Sequence, residues 1–224
     1  MNPTTTILIM LCYAVLLFFI IQKRKVRKKL ANLLQLLNVE LDPGKYVEEA
    51  TAVMTQNKLD RYTIAIVNNN LATAYGQMGE YDKAIKIYKE LLNDPKFRYD
   101  AVIHGQMAQM NLAKKSMPAA QKNWETFEAT IPAKHESSLT RYIKSTKAQF
   151  ALANGNYEES LSIHLELIES SQAIGEKVQF SYRLAETYEK LGKSDQQKEQ
   201  LEYVVANGNK LHIAKLARKQ LQKL

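Results

Sequence analysis

Residues 71–88 read Leu71-Ala72-Thr73-Ala74-Tyr75-Gly76-Gln77-Met78-Gly79-Glu80-Tyr81-Asp82-Lys83-Ala84-Ile85-Lys86-Ile87-Tyr88. Leu71, Ala74, Tyr75 and Met78 recur at i, i+3, i+4 and i+7, the stripe of an amphipathic helix. Ile85, Tyr88, Leu91 and Leu92 repeat that stripe in a second segment. Ala72 and Ala84 are small enough to let two helix backbones approach closely. Gly79 stands where the chain must reverse, and glycine tolerates the positive φ that a helix C-terminus needs. Val and Ile never alternate over a strand-length run. The expected class is all-α, built on helical hairpins.

The same spacing returns along the chain. If Ala65 opens a unit, Gly79 is its position 15, Tyr81 its position 17, Ala84 its position 20 and Tyr88 its position 24. A unit from Ala101 carries Met107, Ala108, Ala120, Trp124, Phe127 and Pro132, with Asn111 and Lys115 in place of the aromatic and the glycine. A unit from Arg141 has Ala148, Gly155, Tyr157 and Leu167, with Ser160 and His164 at positions 20 and 24. A unit from Val178 has Leu184, Ala185, Tyr188 and Gly192, with Gln197 at position 20. A worn unit ahead of these shows Leu36, Gly44 and Tyr46, with Glu49 at position 20. Start-to-start steps are 36, 40 and 37 residues.

This pattern resembles the tetratricopeptide repeat (TPR), a helix-turn-helix unit of about 34 residues. The resemblance implies a right-handed α-solenoid over residues 30–209. The tail, 210–224, has Leu211, Ala214, Leu216, Ala217 and Leu221 at helical spacing, and terminal repeats of such arrays act as caps. It is expected to be a capping helix.

Residues Ile7–Ile21 carry no charge, and Lys23, Arg24, Lys25, Arg27, Lys28 and Lys29 follow. Counted from Pro3, the segment makes about 28 Å of helix, close to a hydrocarbon core of about 30 Å. A cleaved signal peptide needs a basic n-region and a small-residue cleavage site, and neither is present. The expectation is a single transmembrane helix over 1–22 and a polybasic juxtamembrane segment over 23–29 whose side chains contact lipid. Basic flanks stay on the cytoplasmic side, so the N-terminus is expected outside and the repeats in the cytosol.

The formal charge is +8. Six of the 31 basic residues lie in 23–29 and five (Lys210, Lys215, Arg218, Lys219, Lys223) in the tail. The repeat body therefore holds 20 basic residues against all 23 acids. A nucleic-acid binder would carry a basic stripe on the domain itself, so nucleic acid is not an expected partner. The single cysteine, Cys12, rules out an internal disulfide and cysteine-based zinc modules.

No phosphate-cradling glycine loop, no Gly-x-Ser-x-Gly and no His-Glu-x-x-His occur. His104 and His164 fall at packing positions. His135-Glu136 follows Pro132 near an expected helix start, where an acid suits the dipole. Trp124 reads as core. No enzyme activity, cofactor, metal or small-molecule substrate is expected.

The family places positions 2, 5, 6, 9, 12 and 13 on a concave groove. The resemblance thus implies groove residues Asn69, Asn70, Thr73 and Gln77 from the first clear unit, and Gln106 and Gln109 from the second. The third supplies Tyr142, Ser145 and Gln149, and the fourth Tyr182, Arg183 and Glu186. This is a neutral, amide-rich face, and each amide offers donors and an acceptor. The family's carboxylate clamp for chaperone C-termini needs Lys and Arg members that are absent here. The expected role is a membrane-tethered scaffold or adaptor binding a protein or peptide. An alternative within that resemblance is a receptor or assembly component of a protein-translocation or envelope-biogenesis complex.

Overall fold

In the computed structural model, residues 3–94, 100–132 and 139–224 are described. They form eleven helices and, among the described residues, no strand. The helices are α1 (Pro3–Asn38), α2 (Pro43–Gln56), α3 (Arg61–Gln77), α4 (Tyr81–Leu92), α5 (Asp100–Ala113), α6 (Met117–Thr130), α7 (Thr140–Ala153), α8 (Tyr157–Ser170), α9 (Ile174–Lys190), α10 (Ser194–Asn207) and α11 (His212–Leu221). Consecutive pairs α1–α2, α3–α4, α5–α6, α7–α8 and α9–α10 pack as hairpins, and α11 packs on α10 and α9. This is the arrangement of a helical solenoid, in which each unit buries its apolar face on its neighbours.

Each hairpin turn holds one residue in the left-handed region: Leu41 (φ 54°), Gly79 (80°), Lys115 (59°), Gly155 (88°) and Gly192 (68°). In the last four turns the following residue donates its N–H to the carbonyl five residues back, as in Glu80 to Tyr75 (2.9 Å) and Ser116 to Asn111 (2.9 Å). That bond closes the orphan carbonyls of a helix end. Positions 79, 115, 155 and 192 are those of the sequence register. The worn first unit departs from it: Gly44 lies inside α2, just after Pro43, and the reversal falls at Leu41. Measured from Leu41, Tyr46 and Ala50 take the places of Ala84 and Tyr88, and both are buried.

Two helix starts have side-chain caps. Asp42 accepts the Lys45 N–H (3.1 Å) ahead of Pro43, and Asp60 accepts the Thr63 N–H (2.9 Å). Such caps contribute about 1 kcal/mol each. The Thr63 bonds, with further help from Arg27, lower the Asp60 carboxyl to about 2.

Apolar clusters follow one another along the array. Leu30, Leu33, Leu36 and Leu37 of α1 meet Tyr46, Val53, Val67 and Leu71. Ala72, Ala84 and Tyr88 meet Ile103 and Met107. Trp124 stacks on Phe127 (centroids 4.7 Å apart) and faces Phe150. The last cluster contains Val178, Tyr182, Leu201, Val204, Leu211 and Ala214, and also Leu41 from the first turn.

That inclusion closes the array on itself. The Lys210 N–H donates to the Leu41 carbonyl (3.2 Å), Asn209 Nδ2 to the Glu40 carbonyl (2.5 Å), and Lys210 Nζ to Asp42 Oδ2 (2.6 Å). The His212 ring stands edge-on to Tyr81, centroids 6.3 Å apart. A Cβ on Gly79 would lie 2.5 Å from His212 Cγ, so this glycine provides space as well as a left-handed φ. The tail, expected to be a capping helix, packs on the last hairpin and also meets the first two.

The membrane span is corrected. Among the described residues no helix is long and apolar enough to cross a membrane. The count from Pro3 took in a proline and three threonines; the apolar run Ile7–Ile21 makes only about 22 Å of helix against about 30 Å of hydrocarbon. The expected single-pass topology, with its outside N-terminus and cytosolic repeats, falls with the span. The lipid-contact role of Lys23, Arg24, Lys25, Arg27, Lys28 and Lys29 rested on it. These residues lie exposed along the unbroken α1, and Arg27 reaches Asp60 (3.1 Å). Ahead of them Met10, Tyr13, Leu16, Leu17, Phe18 and Ile21 are exposed on the same helix.

Candidate functional site

The first helix of each hairpin from α3 to α9 turns one polar strip toward a shared cavity of about 140 Å³. α3 contributes Thr73 and Gln77, α5 contributes Gln106, Gln109 and Met110, and α7 contributes Ser145 and Gln149. α9 contributes Gln179, Tyr182 and Arg183. Leu211 and Ile213, either side of the α11 start, line it from the closing seam, with Tyr81 beside them. Helical periodicity explains the convergence. The apolar stripe of each first helix packs on its own hairpin partner, which leaves the amide face turned inward.

Hydrogen bonds fix several of these groups. Gln109 Nε2 donates to Thr146 Oγ1 (2.8 Å), and Gln149 Nε2 points at the Ser145 carbonyl (3.4 Å). Thr73 Oγ1 donates to the Asn69 carbonyl (3.1 Å) and lies 3.2 Å from the Tyr88 hydroxyl. Gln77 Oε1 is buried and accepts no hydrogen bond. A buried acceptor left this way costs about 1–3 kcal/mol. Arg183 is the cation of the site. Its Nη1 is 2.7 Å from Glu186 Oε2 and its guanidinium lies over the Tyr182 ring at 5.9 Å. The pair is only about one-quarter exposed (24% and 26%), and it makes the cavity wall neutral overall. Burial pushes the Tyr182 and Tyr81 hydroxyls above their ordinary range, so both stay protonated.

Of the residues the family register marks, Thr73, Gln77, Gln106, Gln109, Ser145, Gln149, Tyr182 and Arg183 line this cavity. Four others lie elsewhere. Asn70 hydrogen-bonds the Tyr46 hydroxyl across the α2–α3 seam. Asn69 accepts from Thr73 through its backbone. The Tyr142 ring packs edge-on to Phe127 (5.9 Å), and its hydroxyl lies against Gly105, where a Cβ would come within 2.7 Å. Glu186 acts through Arg183. Gln179 occupies position 2 of the fourth unit and was readable from the register. Leu211 and Ile213 belong to the tail and no repeat position points to them.

His104 and His164 are structural. His104 Nδ1 pairs with Asn123 Oδ1 (3.1 Å). His135 lies outside the described residues. His164 is 0% exposed, with Nδ1 2.9 Å from the Ser160 carbonyl and 3.2 Å from Ser160 Oγ. Ser160 Oγ is in turn 3.1 Å from Thr187 Oγ1. A Ser–His contact invites a nucleophile reading, but burial closes this pair to substrate. Burial, with the Arg183 charge nearby, lowers His164 to about 4 and keeps it neutral. A second, more open depression beside Arg141 and Lys144 has both cations paired, with Glu176 (2.7 Å) and Glu166 (2.5 Å). Among the described residues no group of three or more His, Cys, Asp or Glu could hold a metal ion.

Residues 65–93, which contain α4 and most of α3, match the family model of the tetratricopeptide repeat. No curated protein and no solved structure matches the chain. The match and the all-helical hairpin architecture support a TPR protein, and repeats of this family are protein-interaction modules without catalytic machinery of their own.

Proposed function

We propose that this chain is a non-catalytic scaffold or adaptor that binds a protein or peptide partner on the inner face of its first helices. One observation carries the reading: four successive hairpins present amides or hydroxyls to one neutral cavity, the place where stacked helical hairpins leave polar surface unpaired. Amides with both donor and acceptor capacity suit the peptide group, which also offers one of each. The buried Ser160–His164 pair offers no accessible nucleophile, which turns the reading away from hydrolysis.

Affinity capture with the full chain tests this. Proteins retained by the wild type and lost with the double variant Gln109→Ala, Gln149→Ala are the expected result, with thermal unfolding showing that the variant remains folded. Equal retention by both would remove the inner face as the binding surface.

A further inference from the structure

The two halves of α1 meet different surroundings. From Leu30 onward the buried residues Leu30, Leu33, Leu36 and Leu37 form one stripe, which packs on Tyr46, Val53, Val67 and Leu71. Ahead of Val26 the described side chains form no such stripe. Met10, Tyr13, Val15, Leu16, Leu17, Ile20 and Ile21 are each at least 40% exposed. At 3.6 residues per turn, Tyr13 and Val15 point to opposite sides of the helix, with Leu16 and Leu17 between them. Apolar surface therefore runs all round this half, and such a helix belongs in apolar surroundings. Lys23, Arg24, Lys25, Arg27, Lys28 and Lys29 follow at once, and no acid precedes Glu40. Among the described residues, Arg27 alone of the six meets an acid, Asp60.

We propose that residues 7–29 attach the chain to an anionic lipid surface, the apolar run lying along one leaflet and the six cations among its headgroups. The bilayer is met from one side and is not crossed. The length fits, since Ile7–Ile21 falls short of the about 20 residues that a crossing needs. The ends fit as well. Thr4–Thr6 precede the run and Gln22 and the cations follow it, so both ends of a helix lying flat rest at headgroup depth. End-on entry would instead carry the threonines and the unpaired first N–H groups of α1 into hydrocarbon. Charge and shape favour lipid over a second copy. Anionic headgroups compensate the cations, each of which adds about fivefold to binding. A second copy aligned in parallel brings six more cations, and a partner helix in either direction leaves the far face of each helix in water. This inference concerns a surface separate from the cavity and does not depend on what the cavity binds.

Co-sedimentation of the full chain with vesicles tests the proposal, using phosphatidylcholine alone and an equimolar mixture with phosphatidylglycerol. Binding to the mixed vesicles is expected to be about a hundredfold tighter or more, and to weaken as salt is added. Leu16→Ser with Leu17→Ser should weaken binding about a hundredfold. Lys23→Gln with Arg24→Gln and Lys25→Gln should lower the preference for the charged lipid by about the same factor. All five side chains are exposed, so circular dichroism should match the wild type. Cys12, exposed and the single cysteine, gives a second readout in the unaltered chain. A membrane-impermeant maleimide should label it in the free chain and not on mixed vesicles. In Thr4→Cys with Cys12→Ser, the same reagent added outside should still react, because both ends stay on one side. Binding equally to both vesicles or to neither, or Cys12 labelled on vesicles as in the free chain, would overturn the proposal. So would protection in the Thr4→Cys variant, which would mean crossing. Cys12 shielded without vesicles, with light scattering at twice the chain mass, would give the apolar face to a second copy and overturn it too.

Discussion

The turn that ends α1 and the turn that ends α3 make the same left-handed reversal with very different residues. At Gly79 the conformation is cheap, and the residue is the one the repeat pattern calls for. At Leu41 the same region carries a strain of about 1–2 kcal/mol for an L-residue. Leu41 is 1% exposed and belongs to the apolar cluster of the last hairpin, and its carbonyl accepts the Lys210 N–H. Burial of a leucine side chain is worth about 1.5–3 kcal/mol, which outweighs the strain. One turn is thus decided by local propensity and the other by tertiary contact. Both meet the same partner, the segment 209–213.

Substitutions at the two turns should fail in opposite ways. Gly79→Ala carries the largest expected cost, about 3–4 kcal/mol, from left-handed strain and from the contact with His212. Adding His212→Ala should recover the steric part and leave the strain, as denaturant unfolding of single and double variants would show. Leu41→Ala should cost about 3 kcal/mol for the cavity it leaves. Leu41→Gly should cost no more than Leu41→Ala despite removing more atoms, because glycine relieves the strain. If Leu41→Gly is clearly worse, strain at this turn is not a real term.

A seam away from both turns provides a control. His164 is neutral in the fold, with a pKa lowered from 6.5 to about 4. The unfolded chain binds its proton first as pH falls. Its contribution to stability is therefore intact above pH 6.5 and is lost progressively down to about pH 4, by up to about 3 kcal/mol. His164→Leu should flatten the pH dependence of unfolding in that window, whether or not either turn is altered. The smallest effect, about 1 kcal/mol, is expected for Lys210→Met, which removes a half-exposed ion pair with Asp42. Its mark should be faster hydrogen exchange in α11 with little change in global stability.

The same contrast shows what the sequence could reveal. Turns at Gly79, Gly155 and Gly192 announce themselves by residue type, and Lys115 by its spacing between them. Leu41 carries no such signal, so the first unit reads three residues late, from Gly44. The cavity was partly legible because its lining follows the repeat register at Gln77, Gln106 and Gln109. Asn70 and Tyr142 share that register, but neighbouring residues Tyr46 and Gly105 draw them into seams between helices. The closing segment was illegible, since its partners lie nearly the whole array away in sequence. The apolar run at Ile7–Ile21 misled because the count went on past it into Pro3 and three threonines, which are uncharged but not apolar.

Closure of the array by residues 209–213 sets the size of the cavity and therefore what it can hold. The most direct test is a nuclear Overhauser measurement between the Gly79 α-protons and the His212 imidazole protons in the full chain. The account predicts a clear cross-peak, since the ring lies where a Gly79 side chain would begin. Assigned resonances with no cross-peak would mean that the array is open at this seam, and the cavity wall formed by Leu211 and Ile213 would go with it.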